Sequence, residues 1–104
     1  MQVVLIDTFV VPEAAKAELL EKSHESATYL RTLPGFVEGN IYEKTGGDSI
    51  HNIVTTAVWQ DESAFESAKK SAAEHFKKIG FNPQEIMSRL NVKIQRAVYR
   101  RSPY

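Results

Sequence analysis

A single tryptophan, Trp59, closes a β-branched run, Ile53-Val-Thr-Thr-Ala-Val-Trp59, and three histidines, His24, His51 and His75, are scattered along the chain. An indole has a large apolar body and one N–H donor, so at the end of a strand it can line a ligand pocket or anchor a core or an interface. His75 flanks an apolar helical stripe. An imidazole there can take a phenolic proton near neutral pH, or it can be a half-buried ring bonded to backbone. Asp7 stands amid Val, Leu, Ile and Phe. A bare carboxylate in such surroundings is costly and has to be paired, hydrated or protonated. Facing a cleft, Asp7 is a general-base candidate; facing along the sheet, it is the partner of Lys93 or Arg96. His24 lies near the apolar edge of the first helical pattern and can face the same cleft, whereas His51 follows a glycine-rich turn and is expected to be exposed. The candidate catalytic set is therefore His75, Trp59 and Asp7. Asn52, Thr55, Phe9, Phe65, Phe76 and His24 form the candidate substrate-binding set, with Met87 and Tyr42 as further neighbours.

Other chemistries have no residues to carry them. The chain has no cysteine, which removes disulfides, thiolate nucleophiles and cysteine-ligated zinc or iron–sulfur centres. No His-x-His or His-x₃-His pair occurs, so no metal site is expected. Gly46-Gly47 joins two strand patterns with no helix following, which is turn chemistry and not a phosphate loop. Thirteen Lys and Arg balance thirteen Asp and Glu, a composition that argues against a nucleic-acid or anionic-membrane partner. The basic residues Arg96, Arg100 and Arg101, and Lys69, Lys70, Lys77 and Lys78, read as solvated faces. Residues 1–11 are apolar but too short to span a bilayer and lack the features of a leader. A cytoplasmic location and one domain over residues 1–104 are expected.

These residues need elements to position them. Residues 2–11 read as a strand apolar on both faces, and Pro12 and Glu13 start a helix running to residue 32, with Ala14, Ala17, Leu20, His24, Ala27 and Leu30 at helical spacing. Leu33-Pro34-Gly35 ends it. Residues 36–44 and 50–60 form a hairpin around Thr45–Ser49. Asp61 caps a second helix whose stripe is Phe65, Ala68, Ala72, Phe76 and Ile79. Asn82-Pro83-Gln84-Glu85 starts a short third helix, and residues 91–100 alternate as the last strand. The order β-α-β-β-α-β, with an extra short helix, predicts an α+β ferredoxin-like fold: a four-stranded antiparallel sheet with its helices on one face. Phe9, Ile53, Trp59, Ile94 and Val98 need cover, and a second copy packed sheet to sheet is expected to provide it as a homodimer.

In this order and spacing, four segments resemble the antibiotic biosynthesis monooxygenase domain family of dimeric α/β barrels. They are the proline-started helix after the first strand, Leu33-Pro34-Gly35-Phe36, Ala57-Val58-Trp59-Gln60-Asp61-Glu62-Ser63-Ala64-Phe65, and Ser71-Ala72-Ala73-Glu74-His75-Phe76. The resemblance implies a monooxygenase that oxidises a small aromatic, quinol or polyketide-like substrate with O₂ and no metal, flavin or other cofactor. An electron-rich phenolate can pass an electron to O₂ itself, so the protein binds it, desolvates it and handles its proton. Trp59 matches the tryptophan near the substrate. The polyketide oxidases' asparagine, four residues earlier, is Thr55 here, and their tyrosine, six residues later, is Phe65. The haem-degrading members' first-strand asparagine falls at Asp7, and their histidine ligand falls at Lys69 or Lys70, so haem is not expected. The alternative is a non-catalytic, dimeric small-molecule binder or stress-related accessory protein with the same barrel.

Overall fold

The computed structural model describes residues 1–104. Strand β1 (Val3–Val10) is followed by a 3-10 turn at Glu13–Ala15 and helix α1 (Lys16–Leu30). Strands β2 (Phe36–Glu43) and β3 (Ile53–Trp59) form the hairpin. Helix α2 (Glu62–Lys78), helix α3 (Pro83–Arg89) and strand β4 (Lys93–Tyr99) complete the chain. The four strands are antiparallel in the order β2-β3-β1-β4. This is the expected ferredoxin-like α+β fold, with β1 and β3 central. No helix is long and apolar enough to cross a membrane.

Local chemistry sets the element ends. The Asp61 carboxylate accepts from Ala64 N at 2.8 Å, and Asn82 Oδ1 accepts from Glu85 N at 3.2 Å, so α2 and α3 both start on side-chain caps. Gly35 has φ +83°, and a Cβ there would overlap the Ala64 methyl. Only glycine lets the turn after α1 lie on the first turn of α2. A bulge at Val37 lets Phe36, Gly39 and Ile41 share one face, paired with Trp59, Ala57 and Thr55.

The slab measures 40 × 37 × 17 Å, and its helices cover one face of the sheet only. Under them lie two apolar clusters. Phe9, Val11, Ala15, Leu19, Ile53 and Val92 form one; Trp59, Phe65 and Ala68, with Val3, Leu5, Leu30, Leu33 and Phe36 beside them, form the other. Phe9, Ile53 and Trp59 are thus buried by this chain's own helices, and need no second copy to cover them. The face without helices carries the alternate residues, Val4, Ile6, Val10 and Val54 among them, all half-buried.

The helix phase differs from the reading by periodicity. Ala14, Ala17 and His24 face solvent, and the buried residues at this end are Ala15 and Leu19. The chain enters α1 through a 3-10 turn, which has three residues per turn in place of 3.6 and shifts the stripe. Ile79 is exposed because it caps the C-terminus of α2. Strand β3 starts at Ile53 and not at residue 50, which leaves Ile50 exposed in a longer hairpin loop.

Candidate functional site

Between the helices and the sheet is a hollow of about 930 Å³. It exists because the helical walls facing it are built from small residues: Ser23, Ser26 and Ala27 on α1, and Ala68, Ala72 and Ala73 on α2. A helix packs tightly onto a sheet through Leu, Ile or Phe; small side chains at the same positions leave space. Gly39 adds room on the floor, where a Cβ would sit 3.0 Å from the Phe36 ring and 3.1 Å from Thr56 O.

The floor is set by strand register. Asp7 pairs with Thr55 on one side and Arg96 on the other, and Thr55 pairs with Ile41, so one row, Ile41-Thr55-Asp7-Arg96, crosses all four strands. All four residues line the hollow, as do Phe9, Trp59, Phe65, Phe76 and Met87. Asp7 is only 6% exposed. Arg96 Nε donates to its Oδ1 and Nη2 to its Oδ2, both at 2.8 Å. This two-pronged charge-assisted pair resolves the two readings of Asp7: it lines the cleft and is also the partner of Arg96. The hydrogen bond to Asp7, more than the attraction between the charges, holds the Arg96 guanidinium above its ordinary range.

Trp59 is 2% exposed and meets Phe36 edge-on, with ring centroids 5.3 Å apart. Its N–H makes none of the side-chain hydrogen bonds of the protein, while no buried side-chain nitrogen or oxygen lacks a partner. The space that this ring lines is the hollow.

Three candidates lie outside the lining. His75 stacks on Tyr29 at 3.8 Å and 4°, between α1 and α2, because it is one residue round the helix from the inward Phe76. Tyr29 in turn donates to Ser71 O at 3.1 Å. His24 is exposed on α1. Asn52 precedes β3; its Oδ1 accepts from Val11 N at 2.9 Å and its Nδ2 donates to Val11 O at 2.8 Å, which ties the hairpin to the end of β1. His51 is half-buried beside Ser49, with its Nδ1 3.5 Å from the hydroxyl. No group of three or more His, Asp or Glu side chains is placed to hold a metal ion.

Lys69, Lys77 and Arg96, expected on solvated faces, all border the hollow, with Lys22 and Arg31. For Arg96 a partial signal existed: a carboxylate in an apolar strand needs a cationic partner, and Arg96 is one of the two candidates on the last strand. For the lysines nothing in the helical pattern distinguishes an outer from a rim position.

A family model described as antibiotic biosynthesis monooxygenase matches residues 1–79. No curated protein matches the chain by sequence. Among solved structures, SnoaB, a cofactor-independent oxygenase from Streptomyces nogalater, superposes with a TM-score of 0.69 at 20% identity, over 99% of this chain and 95% of that one. A conserved protein from Methanosarcina mazei superposes with a TM-score of 0.74 at 16% identity, over 98% and 94% of the two chains. A heme-degrading protein from Mycobacterium tuberculosis matches at 25% identity with a TM-score of 0.59, over 66% of this chain and 78% of that one. These likenesses establish the shared fold.

Proposed function

The chain belongs to the antibiotic biosynthesis monooxygenase family, and from that premise we propose that it is a cofactor-independent monooxygenase of a small aromatic, quinol or polyketide-like substrate. The observation that carries this reading is the apolar hollow with the Trp59 indole at one end and the Thr55-Asp7-Arg96 row across its floor. Fold alone does not choose a chemistry. The lining supports this one: apolar walls of Phe9, Phe65 and Phe76 suit flat rings, and a few polar groups can orient them.

In this reading Trp59 and Thr55 position the ring. Asp7, the one carboxylate on the lining, takes the phenolic proton, and Arg96 holds it in place. The dry walls destabilise the phenolate relative to water and favour electron transfer to O₂. Oxidation of a ring methylene then breaks two C–H bonds and forms one C=O. One oxygen atom stays in the product and the other leaves as water with the two hydrogens, so the substrate is the only reductant. The uncovered face bearing Val4, Ile6, Val10 and Val54 packs on its counterpart in a homodimer, and residues 1–104 act as one domain in the cytoplasm.

Oxygen uptake with a panel of anthrones and hydroquinones, with chelator and without flavin, tests this. Uptake is expected, with Trp59→Phe and Asp7→Asn each lowering kcat/KM by about tenfold or more and His75→Ala leaving it within about twofold. The binder reading has one observation in its favour: Asp7 is already engaged by Arg96. No uptake with any compound, alongside ligand-induced thermal stabilisation, would establish that reading in place of the oxygenase.

A further inference from the structure

The charge around the hollow is not the charge of the chain. Thirteen cationic and thirteen anionic side chains balance overall. The lining, however, holds five cations, Lys22, Arg31, Lys69, Lys77 and Arg96, and one carboxylate, Asp7. Helices α1 and α2 carry six lysines and six glutamates between them. Three of those lysines border the hollow and none of the glutamates does. A merely solvated face would show both signs.

The Arg96–Asp7 pair is neutral in sum, which leaves four cations. Arg31 has only a long hydrogen bond, 3.4 Å, to Gly39 O, and neither it nor Lys77 has a carboxylate within ion-pairing distance. Lys22 lies 3.8 Å from Glu25, and Lys69 lies 3.1 Å from Glu66 with its ammonium over the Phe65 ring. Both pairs are solvent-exposed and weak, and both glutamates lie off the lining. Cations around a low-dielectric cleft focus a positive potential into it and raise the local concentration of anions.

We propose that the ligand of this hollow is an aromatic acid, a fused-ring body bearing a carboxylate that the Lys22, Arg31 and Lys77 rim recognises. This rests on the hollow being the ligand site and is independent of whether oxygen chemistry follows. The rings occupy the Trp59 and Phe65 end, and the carboxylate stays at the wet rim, where it keeps part of its hydration while gaining the field. A neutral ring system of the same shape would fill the apolar space equally well and gain nothing from the rim.

The test titrates the protein with 2-naphthoate and with its neutral isostere 2-naphthamide, reading quenching of the sole tryptophan, at low ionic strength. Naphthoate is expected to bind about tenfold tighter. That preference should fall below about threefold in Lys22→Gln/Lys77→Gln, with the fold checked by circular dichroism since Lys77 is exposed and Lys22 half-buried, and at about 0.5 M salt. Equal or tighter binding of the amide overturns the proposal. So does a preference unchanged in the double variant, or no quenching by either compound. Oxygen uptake on neutral hydroquinones with no acid preference would sink this inference and keep the oxygenase; an acid preference without uptake on any substrate would do the reverse.

Discussion

The two apolar clusters under the helices differ in how completely they are filled, and the polar row Thr55-Asp7-Arg96 divides them. Around Phe9 and Ile53, three chain segments converge: the start of α1 with Ala15 and Leu19, the end of β1 with Val11, and Val92 from the link between α3 and β4. Around Trp59, only Phe65 and Ala68 are also buried. The first cluster gathers six buried residues from segments distant in sequence. The second has three and is the more open end. The hollow borders both, with Phe9, Leu19 and Met87 on one side and Trp59, Phe65 and Ala68 on the other, so the ends differ in how much buried packing stands behind the lining.

Substitutions at the two ends should separate accordingly. Ile53 is 0% exposed, so Ile53→Ala should cost about 3–4 kcal/mol by chemical denaturation through lost transfer energy and a cavity. A cost below about 1 kcal/mol would mean that this end is as loose as the other.

Next comes the dividing row. Arg96→Met strands a carboxylate that is 6% exposed, an expected loss of about 2 kcal/mol; the full cost of breaking a buried pair is reduced because the Arg96 side chain is itself 60% exposed. Adding Asp7→Leu should restore stability to within about 1 kcal/mol, since no buried charge then remains. Failure of that rescue would show that Asp7 holds the sheet through more than Arg96.

At the open end, Trp59→Phe keeps an aromatic ring against Phe36 and should cost only about 1 kcal/mol, while ligand binding and any oxygen uptake fall far more. A loss as large as at Ile53 would erase the contrast between the clusters.

The smallest effect is at the rim of the α1–α3 junction, where Arg89 Nη2 donates to Glu18 Oε2. That hydrogen bond lowers the Glu18 carboxyl below its ordinary value. A lowered carboxyl contributes stability above its unfolded value and loses it as pH falls through the folded one. The difference in Tm between the protein and Arg89→Gln should therefore be visible near about pH 7 and shrink progressively as the pH falls below the ordinary glutamate value of about 4.3. A difference that persists in acid would assign Arg89 a role other than this pair.

Much of the architecture is written in local signals. Pro12, Asp61, Asn82 and Pro83 mark element ends through backbone geometry and capping that depend on adjacent residues, and Gly35 marks one through its positive φ. Alternation within β3 places Thr55 and Trp59 on one face, and within β1 it places Asp7 with Leu5 and Phe9; that the two faces are the same one is fixed only by the pairing of β1 with β3. The inward stripe of α1 was not legible in this way, since a 3-10 turn altered its phase. Nor was the part played by Asn52: an amide before a strand looks free until its two bonds to Val11 are seen.

From the chain alone came the element order, the family resemblance, and the expectation that a cleft between sheet and helices would involve Trp59. Tertiary structure decided which face the helices cover, that Asp7 pairs with Arg96, that His75 turns away to stack on Tyr29, and that three of the six lysines of α1 and α2 border the opening while none of their glutamates does. The physical reason is range. Caps, turns and alternation are settled by neighbours a few residues away. Partnership between residues as far apart as Asp7 and Arg96, and the sign of charge around a cavity, exist only once distant segments pack.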